Sequence, residues 1–124
     1  MSKKVPKPGE AVRGSTSGRP IMALLDLLGR RWTLRVLWEL RDGLPATFRE
    51  LRERCDSVSP TVLNERLAEL RASGIVELAD DGYCTTEHGA TLLEALAPLH
   101  GWAAAWARRE RARAGTSQAN RRTA

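Results

Sequence analysis

Apolar residues recur at helical spacing through most of this chain and give way to strand-like runs only once. The first periodic stretch, Pro20–Leu28, puts Ile21, Leu24, Leu25 and Leu28 at helical intervals, with Pro20 suited to a first turn and Gly29 as a stop. A second helix is predicted from Arg31 to Arg41. There Trp32, Val36, Leu37 and Leu40 share one face, while Leu34 and Trp38 lie on the other. A helix apolar nearly all round is central in the core or faces two neighbours at once. Asp42-Gly43 ends it. A third helix begins at Thr47, which with Glu50 three residues on makes a capping box, and turns Phe48, Leu51 and Cys55 inward. After the short turn Asp56-Ser57-Val58, a fourth helix opens with Ser59 as N-cap and Pro60 at the first helical position. Leu63, Leu67 and Leu70 form its buried stripe, and Ser73-Gly74 stops it.

The β-prone runs Ile75–Leu78 and Tyr83–Thr85 flank Ala79-Asp80-Asp81-Gly82 and predict a tight hairpin around an Asp-Gly turn. Thr86 caps a fifth helix carrying Leu92, Leu93 and Leu96, and Pro98 predicts a break or kink. A last helix over Leu99–Ala114 bears Leu99, Trp102 and Trp106 on one side. Four helices, a hairpin and two more helices give a mainly α fold with a small β-hairpin wing. That is the winged helix-turn-helix order with extra helices at both ends.

Composition narrows the picture. At 124 residues, 42% of them apolar and 28% charged, the chain suits one domain that buries a core without disulfides or metals. Residues 1–18, rich in Lys, Gly, Pro and Ser, read as a disordered basic arm; 19–114 as the folded domain; 115–124 as a disordered basic tail. No apolar run approaches the roughly 18–20 residues of a membrane span, and no signal-peptide pattern opens the chain. A cytoplasmic, nucleoid-associated protein without membrane contact is the expectation. The net charge is +5, yet residues 1–20 carry +4 and 107–124 carry +5, which leaves −4 for the middle. The positive excess therefore sits in the ends, where it either adds sequence-independent phosphate contacts or merely aids solubility.

The informative unit is residues 47–74: a capped short helix, a turn, and a second capped helix, a spacing that lets the first brace the second across a DNA backbone. At about 100° per residue, Leu63, Leu67 and Leu70 facing inward send Thr61, Glu65 and Ala68 outward, with Pro60 and Asn64 on one edge and Arg66 on the other. Small and polar residues at the start of such a helix suit close approach to base edges. Thr61 is placed for a thymine methyl or a phosphate, Asn64 for adenine, Arg66 for phosphate or guanine. Ser59 sits at the positive helix end, suited to phosphate. With Thr47 and Arg49 these residues make the expected double-stranded DNA interface. Any solvent-exposed amphipathic helix shows polar residues opposite its leucines, and Glu65 is an awkward neighbour for phosphates.

The chain resembles the HxlR-type transcriptional regulators, a branch of the winged helix-turn-helix superfamily related to the MarR type. The resemblance is carried by Leu27-Leu28-Gly29-Arg30-Arg31-Trp32-Thr33-Leu34, Val36-Leu37-Trp38-Glu39-Leu40 and Phe48-Arg49-Glu50-Leu51-Arg52. It continues through Val58-Ser59-Pro60, Leu63, Leu67, Glu69, Leu70, Gly74-Ile75-Val76, Tyr83, Thr85, Thr86-Glu87, Gly89 and the Trp102 helix. It spans about residues 20–108 in unbroken order. It implies a bacterial homodimer joined through its terminal helices, with the fourth helix in the major groove and the wing near the backbone. Two departures stand out. Members often carry a cysteine just before the first helix, used in some as a redox or electrophile sensor, where this chain has Arg19-Pro20. Their wing is usually longer and more basic, whereas Asp80 and Asp81 here would repel phosphates.

Trp102 and Trp106, four apart, with Leu99 and the first-helix residues Ile21, Leu24, Leu25 and Leu28, exceed what one small core can cover. They read as a symmetric dimer interface, with a ligand pocket for a small-molecule effector as the alternative. Cys55 and Cys84 are the candidates for a redox switch, against the plainer role of small packed side chains. Cys84, His88 and His100 make a poor zinc set, so no metal or other cofactor is expected. Two histidines, no phosphate loop and no Ser-His-Asp order leave an enzyme little to work with, and no catalytic residue is assigned. The rival from another class is a winged-helix module that binds a protein partner without specific DNA binding; the −4 middle and the acidic wing favour it.

Overall fold

The computed structural model describes residues 5–123, with side chains through residue 116. Lys3 and Lys4 of the expected basic arm lie outside the described residues, as do the side chains of Arg121 and Arg122 in the expected tail. The chain divides into two compact units, one up to Thr91 and one from Leu92 onward. In order, the elements are α1 (Pro20–Leu28), α2 (Thr33–Glu39), α3 (Phe48–Arg54), α4 (Pro60–Ala72), β1 (Val76–Ala79), β2 (Gly82–Thr85) and α5 (Glu87–Thr123).

In the first unit α1 packs on α2, α2 on α3, and α4 against β1. Leu27, Val36, Leu37, Leu40, Leu51, Cys55, Leu63, Leu67, Leu70, Ile75 and Val76 fill the core between them. Leu28 belongs there too, at 8% exposed, which corrects its expected place in a dimer interface. Like Ala23 and Leu27 on the same helix, it is buried within its own unit, which leaves little of it for a partner to cover. α2 starts two residues later than expected, at Thr33, because Trp32 takes a left-handed backbone with φ 78°. For a bulky residue that conformation is an outlier, and it breaks the helix N-terminal to Thr33. Leu34 and Trp38 on the far side of α2 remain about half exposed, at 49% and 41%.

The hairpin pairs Val76 with Thr85 and Ala79 with Gly82, leaving Asp80-Asp81 as the two-residue connection. Gly82 thus opens β2 instead of completing the turn. Its reason is space: a Cβ there would stand 2.6 Å from the Ala46 carbonyl carbon and oxygen. Ala46 extends the wing on the other edge of β2 by exchanging backbone hydrogen bonds with Tyr83 at 2.8 and 2.7 Å, as an isolated antiparallel bridge.

Thr86 caps α5, its hydroxyl accepting from the Gly89 N–H at 3.0 Å while donating to the Gly74 carbonyl at 2.6 Å. Gly89 lies directly on the Ile75 backbone, and a Cβ there would overlap the Ile75 carbonyl. Gly89→Ala is therefore expected to cost about 3 kcal/mol, the upper range for forced overpacking, as read by urea unfolding. An unchanged midpoint would mean that α5 slides without penalty.

Two helices were expected on either side of Pro98, and one is found: α5 runs unbroken from Glu87 to Thr123 with Pro98 inside it. Proline removes a single N–H and so frees the Glu94 carbonyl. Both residues are exposed, so water can satisfy that carbonyl and the ladders on either side survive. Residues 5–18 make turns: Gly9 donates to the Gly18 carbonyl at 2.8 Å, and Val12 pairs with Ser15. Pro6 is buried, and the Lys7 ammonium donates to the Ala72 carbonyl at 3.2 Å. Among the described residues no helix is long and apolar enough to cross a membrane.

Candidate nucleic-acid interface

The helix-turn-helix is built from two capped helices and a clamped turn. The Thr47 hydroxyl accepts from the Glu50 N–H at 3.1 Å, and the Glu50 carboxylate accepts from the Thr47 N–H at 3.2 Å, which completes the capping box. The Thr47 backbone bond, then its hydroxyl, hold the Glu50 carboxyl below its ordinary range, so the box is charged and closed at neutral pH. Ser59 caps α4 by accepting from the Val62 N–H at 3.1 Å, with Pro60 next in line. Between the helices Asp56 and Ser57 both adopt left-handed backbone, with φ 52° and 59°.

Two arginines hold that turn, and pattern reading missed both. Arg35, from α2, donates to the Arg54 carbonyl at 2.7 Å, to Asp56 at 3.2 Å and to Glu39 at 3.0 Å. Arg52 reaches across to the Val58 carbonyl at 3.0 Å. The one signal available was a long cation amid the apolar residues of α2; its targets at the end of α3, 19 and 21 residues on, were not.

α4 turns Leu63, Leu67 and Leu70 into the core and leaves Ser59, Pro60, Thr61, Asn64, Glu65 and Ala68 exposed. That face is the expected one, with one correction. Arg66, assigned to DNA, is 7% exposed and turned inward. Its Nε lies 3.2 Å from Glu69 and its terminal nitrogen donates to Glu65 at 3.1 Å. Glu69 in turn takes Arg30 from the segment after α1. A buried carboxylate between two guanidiniums draws Arg66 in more strongly than solvent draws it out. Arg49, in contrast, stands fully out on α3, its side chain 91% exposed beside Glu53 at 3.6 Å. The wing carries Asp80 and Asp81 exposed at its tip.

Of the expected dimer residues, Ile21 and Leu25 are each 54% exposed on α1, and Leu24 is half-buried. In the second unit Leu99, Trp102 and Trp106 are all exposed, and the two indoles lie with ring centroids 5.8 Å apart. The cysteines are separate free thiols. Burial pushes up the pKa of Cys55, and burial followed by the Glu77 carboxylate pushes up that of Cys84. Neither is poised as a thiolate, the form that redox chemistry needs.

The HxlR-like helix-turn-helix family model matches residues 27–111. The HTH-type transcriptional regulator YodB of Bacillus subtilis is 33% identical over 97 residues, covering 73% of this chain and 86% of that one. The quinone-bound YodB crystal structure superposes with a TM-score of 0.62 at 35% identity, over 67% of this chain and 93% of that one. A regulator of the MarR family from Enterococcus faecalis shares the fold, with a TM-score of 0.64 at 24% identity, over 80% of this chain and 96% of that one. A match over most of the chain, spanning both capped helices and the wing, decides the matter: the chain belongs to the HxlR-like helix-turn-helix family, as a DNA-binding transcriptional regulator and not an enzyme.

Proposed function

We propose that this regulator works in the cytoplasm as a homodimer on a roughly palindromic operator, with two copies of α4 in successive major grooves about 34 Å apart. One observation carries the reading: α4 buries its leucine stripe completely while Thr61, Asn64, Glu65 and Ala68 face solvent. Ser59, Pro60 and the exposed Arg49 flank that face toward the phosphates, and Thr47 holds α3 at the angle that supports it. The basic ends supply phosphate contacts that the acidic wing cannot. Ile21, Leu25, Leu99, Trp102 and Trp106 supply apolar surface for the second copy.

Selection from random duplexes tests this directly, since a dimer returns an inverted repeat. Asn64→Ala is expected to weaken operator binding by about 1–3 kcal/mol while leaving random-sequence binding in place. Equal losses on both duplexes would remove Asn64 from base reading.

A small-molecule effector is part of the proposal, since the Bacillus relative was solved bound to a quinone. In this chain Arg19-Pro20 precede α1 and both thiols stay protonated, so an effector would bind without a cysteine adduct. The second reading, a module that docks on a protein, is favoured by Asp80 and Asp81 at the wing tip. A wild-type gel shift that never responds to sequence would favour it.

A further inference from the structure

We infer that Glu65 reads a cytosine in the operator and that Arg66 is the residue that aims it, through a buried relay running Arg30–Glu69–Arg66–Glu65. The inference rests on the operator-reading function proposed above. Glu65 lies four residues after Thr61 and three before Ala68, so it occupies the middle of the outward face. A carboxylate there opposes phosphate unless its charge is offset. The relay offsets it: two guanidiniums face two carboxylates, with the Arg66 terminal nitrogen on Glu65 Oε2 at 3.1 Å and its Nε 3.2 Å from Glu69 Oε1.

Arg66 is buried and held from below, whereas the Glu65 side chain is 54% exposed. The pair is thus an exposed acceptor fixed to an immobile base, unlike two long chains meeting on a surface. Among the described residues only Oε2 of Glu65 is bonded, to Arg66, which leaves Oε1 as an acceptor on the exposed face of α4. An ionised carboxylate only accepts. In the major groove cytosine presents an amino donor, adenine sets its amino group beside the N7 acceptor, and guanine and thymine offer acceptors. Cytosine is the base that fits.

Random-duplex selection with the full chain, its Glu65→Gln variant and its Arg66→Lys variant tests this. The wild type is expected to select a cytosine at one position in each half-site, with about tenfold or greater loss when that base is changed. Glu65→Gln moves that single preference to adenine, which an amide binds with both its donor and its acceptor, and leaves the other positions alone. Arg66→Lys keeps the charge but cannot span two carboxylates, and flattens the preference at that same position. An unaltered preference in Glu65→Gln overturns the inference; so does an Arg66→Lys variant that weakens every position alike. Glu65 is a surface side chain, so its variant folds and decides even where Arg66→Lys does not. A wild type that selects no sequence fails the operator proposal itself, whereas a selected operator indifferent to Glu65→Gln fails this inference alone.

Discussion

Replacing Trp102 and Trp106 together by Ala is expected to leave the protein monomeric at micromolar concentration and to weaken its hold on a two-half-site duplex by about 100-fold or more. Both indoles are exposed, at 60% and 53%, and lie against each other at 5.8 Å, with Leu99 one turn away at 60%. A surface helix has no reason to present this much apolar area to water unless something covers it. Buried tryptophans at an interface each carry roughly 2 kcal/mol or more, and a two-fold axis uses every residue twice. Removing both from each copy therefore takes away four indoles and about 8 kcal/mol, or roughly a million-fold in the dimer constant, an upper bound because such contributions do not add fully. Sedimentation equilibrium gives the oligomeric state and a gel shift on one and two half-sites gives the DNA side. A double variant that still sediments as a dimer would show that this face serves something else.

Glu69→Ala is expected to lower unfolding stability by about 3–5 kcal/mol, the range for breaking a buried ion pair from one side. Glu69 is 7% exposed and stands between Arg66, also 7% exposed, and Arg30, whose side chain is 14% exposed. Deleting the carboxylate leaves Arg66 with only the half-exposed Glu65 and takes from Arg30 its part-buried ion pair, in surroundings that solvate both guanidiniums poorly. Replacing all three residues by apolar ones of similar volume is expected to restore most of the loss, because no buried charge is then left alone and the half-exposed Glu65 is solvated. Urea unfolding of the single and triple variants separates the two effects. A loss under about 1 kcal/mol for Glu69→Ala would mean that water already reaches the cluster.

The two caps at Thr47 and Ser59, the leucine stripe of α4 and the hairpin were legible without coordinates, because each depends on residues within one or two turns of one another. Misreadings came where distant residues compete. Trp32 looked like ordinary helix, yet its backbone is left-handed; Pro98 looked like a break, yet exposed carbonyls let α5 continue past it. Arg66 was assigned outward by spacing and Leu28 by the excess of apolar residues over one small core, and burial put both inside.

Local chemistry in the chain was enough to specify which segments are helices, where they are capped, and which side of α4 is apolar, since these follow from short-range hydrogen bonds and periodicity. Tertiary structure alone decided that Arg35 and Arg52 clamp the turn, that Gly82 and Gly89 make room for Ala46 and Ile75, and that Arg66 serves Glu69. Those outcomes depend on which backbone or charge lies opposite after folding, and spacing along the chain carries no such information.

The physical reason is the range of the forces involved. A cap or a stripe is settled by neighbours a few residues away, whereas the partner of a buried charge is chosen by whichever opposite charge the packed core brings within reach.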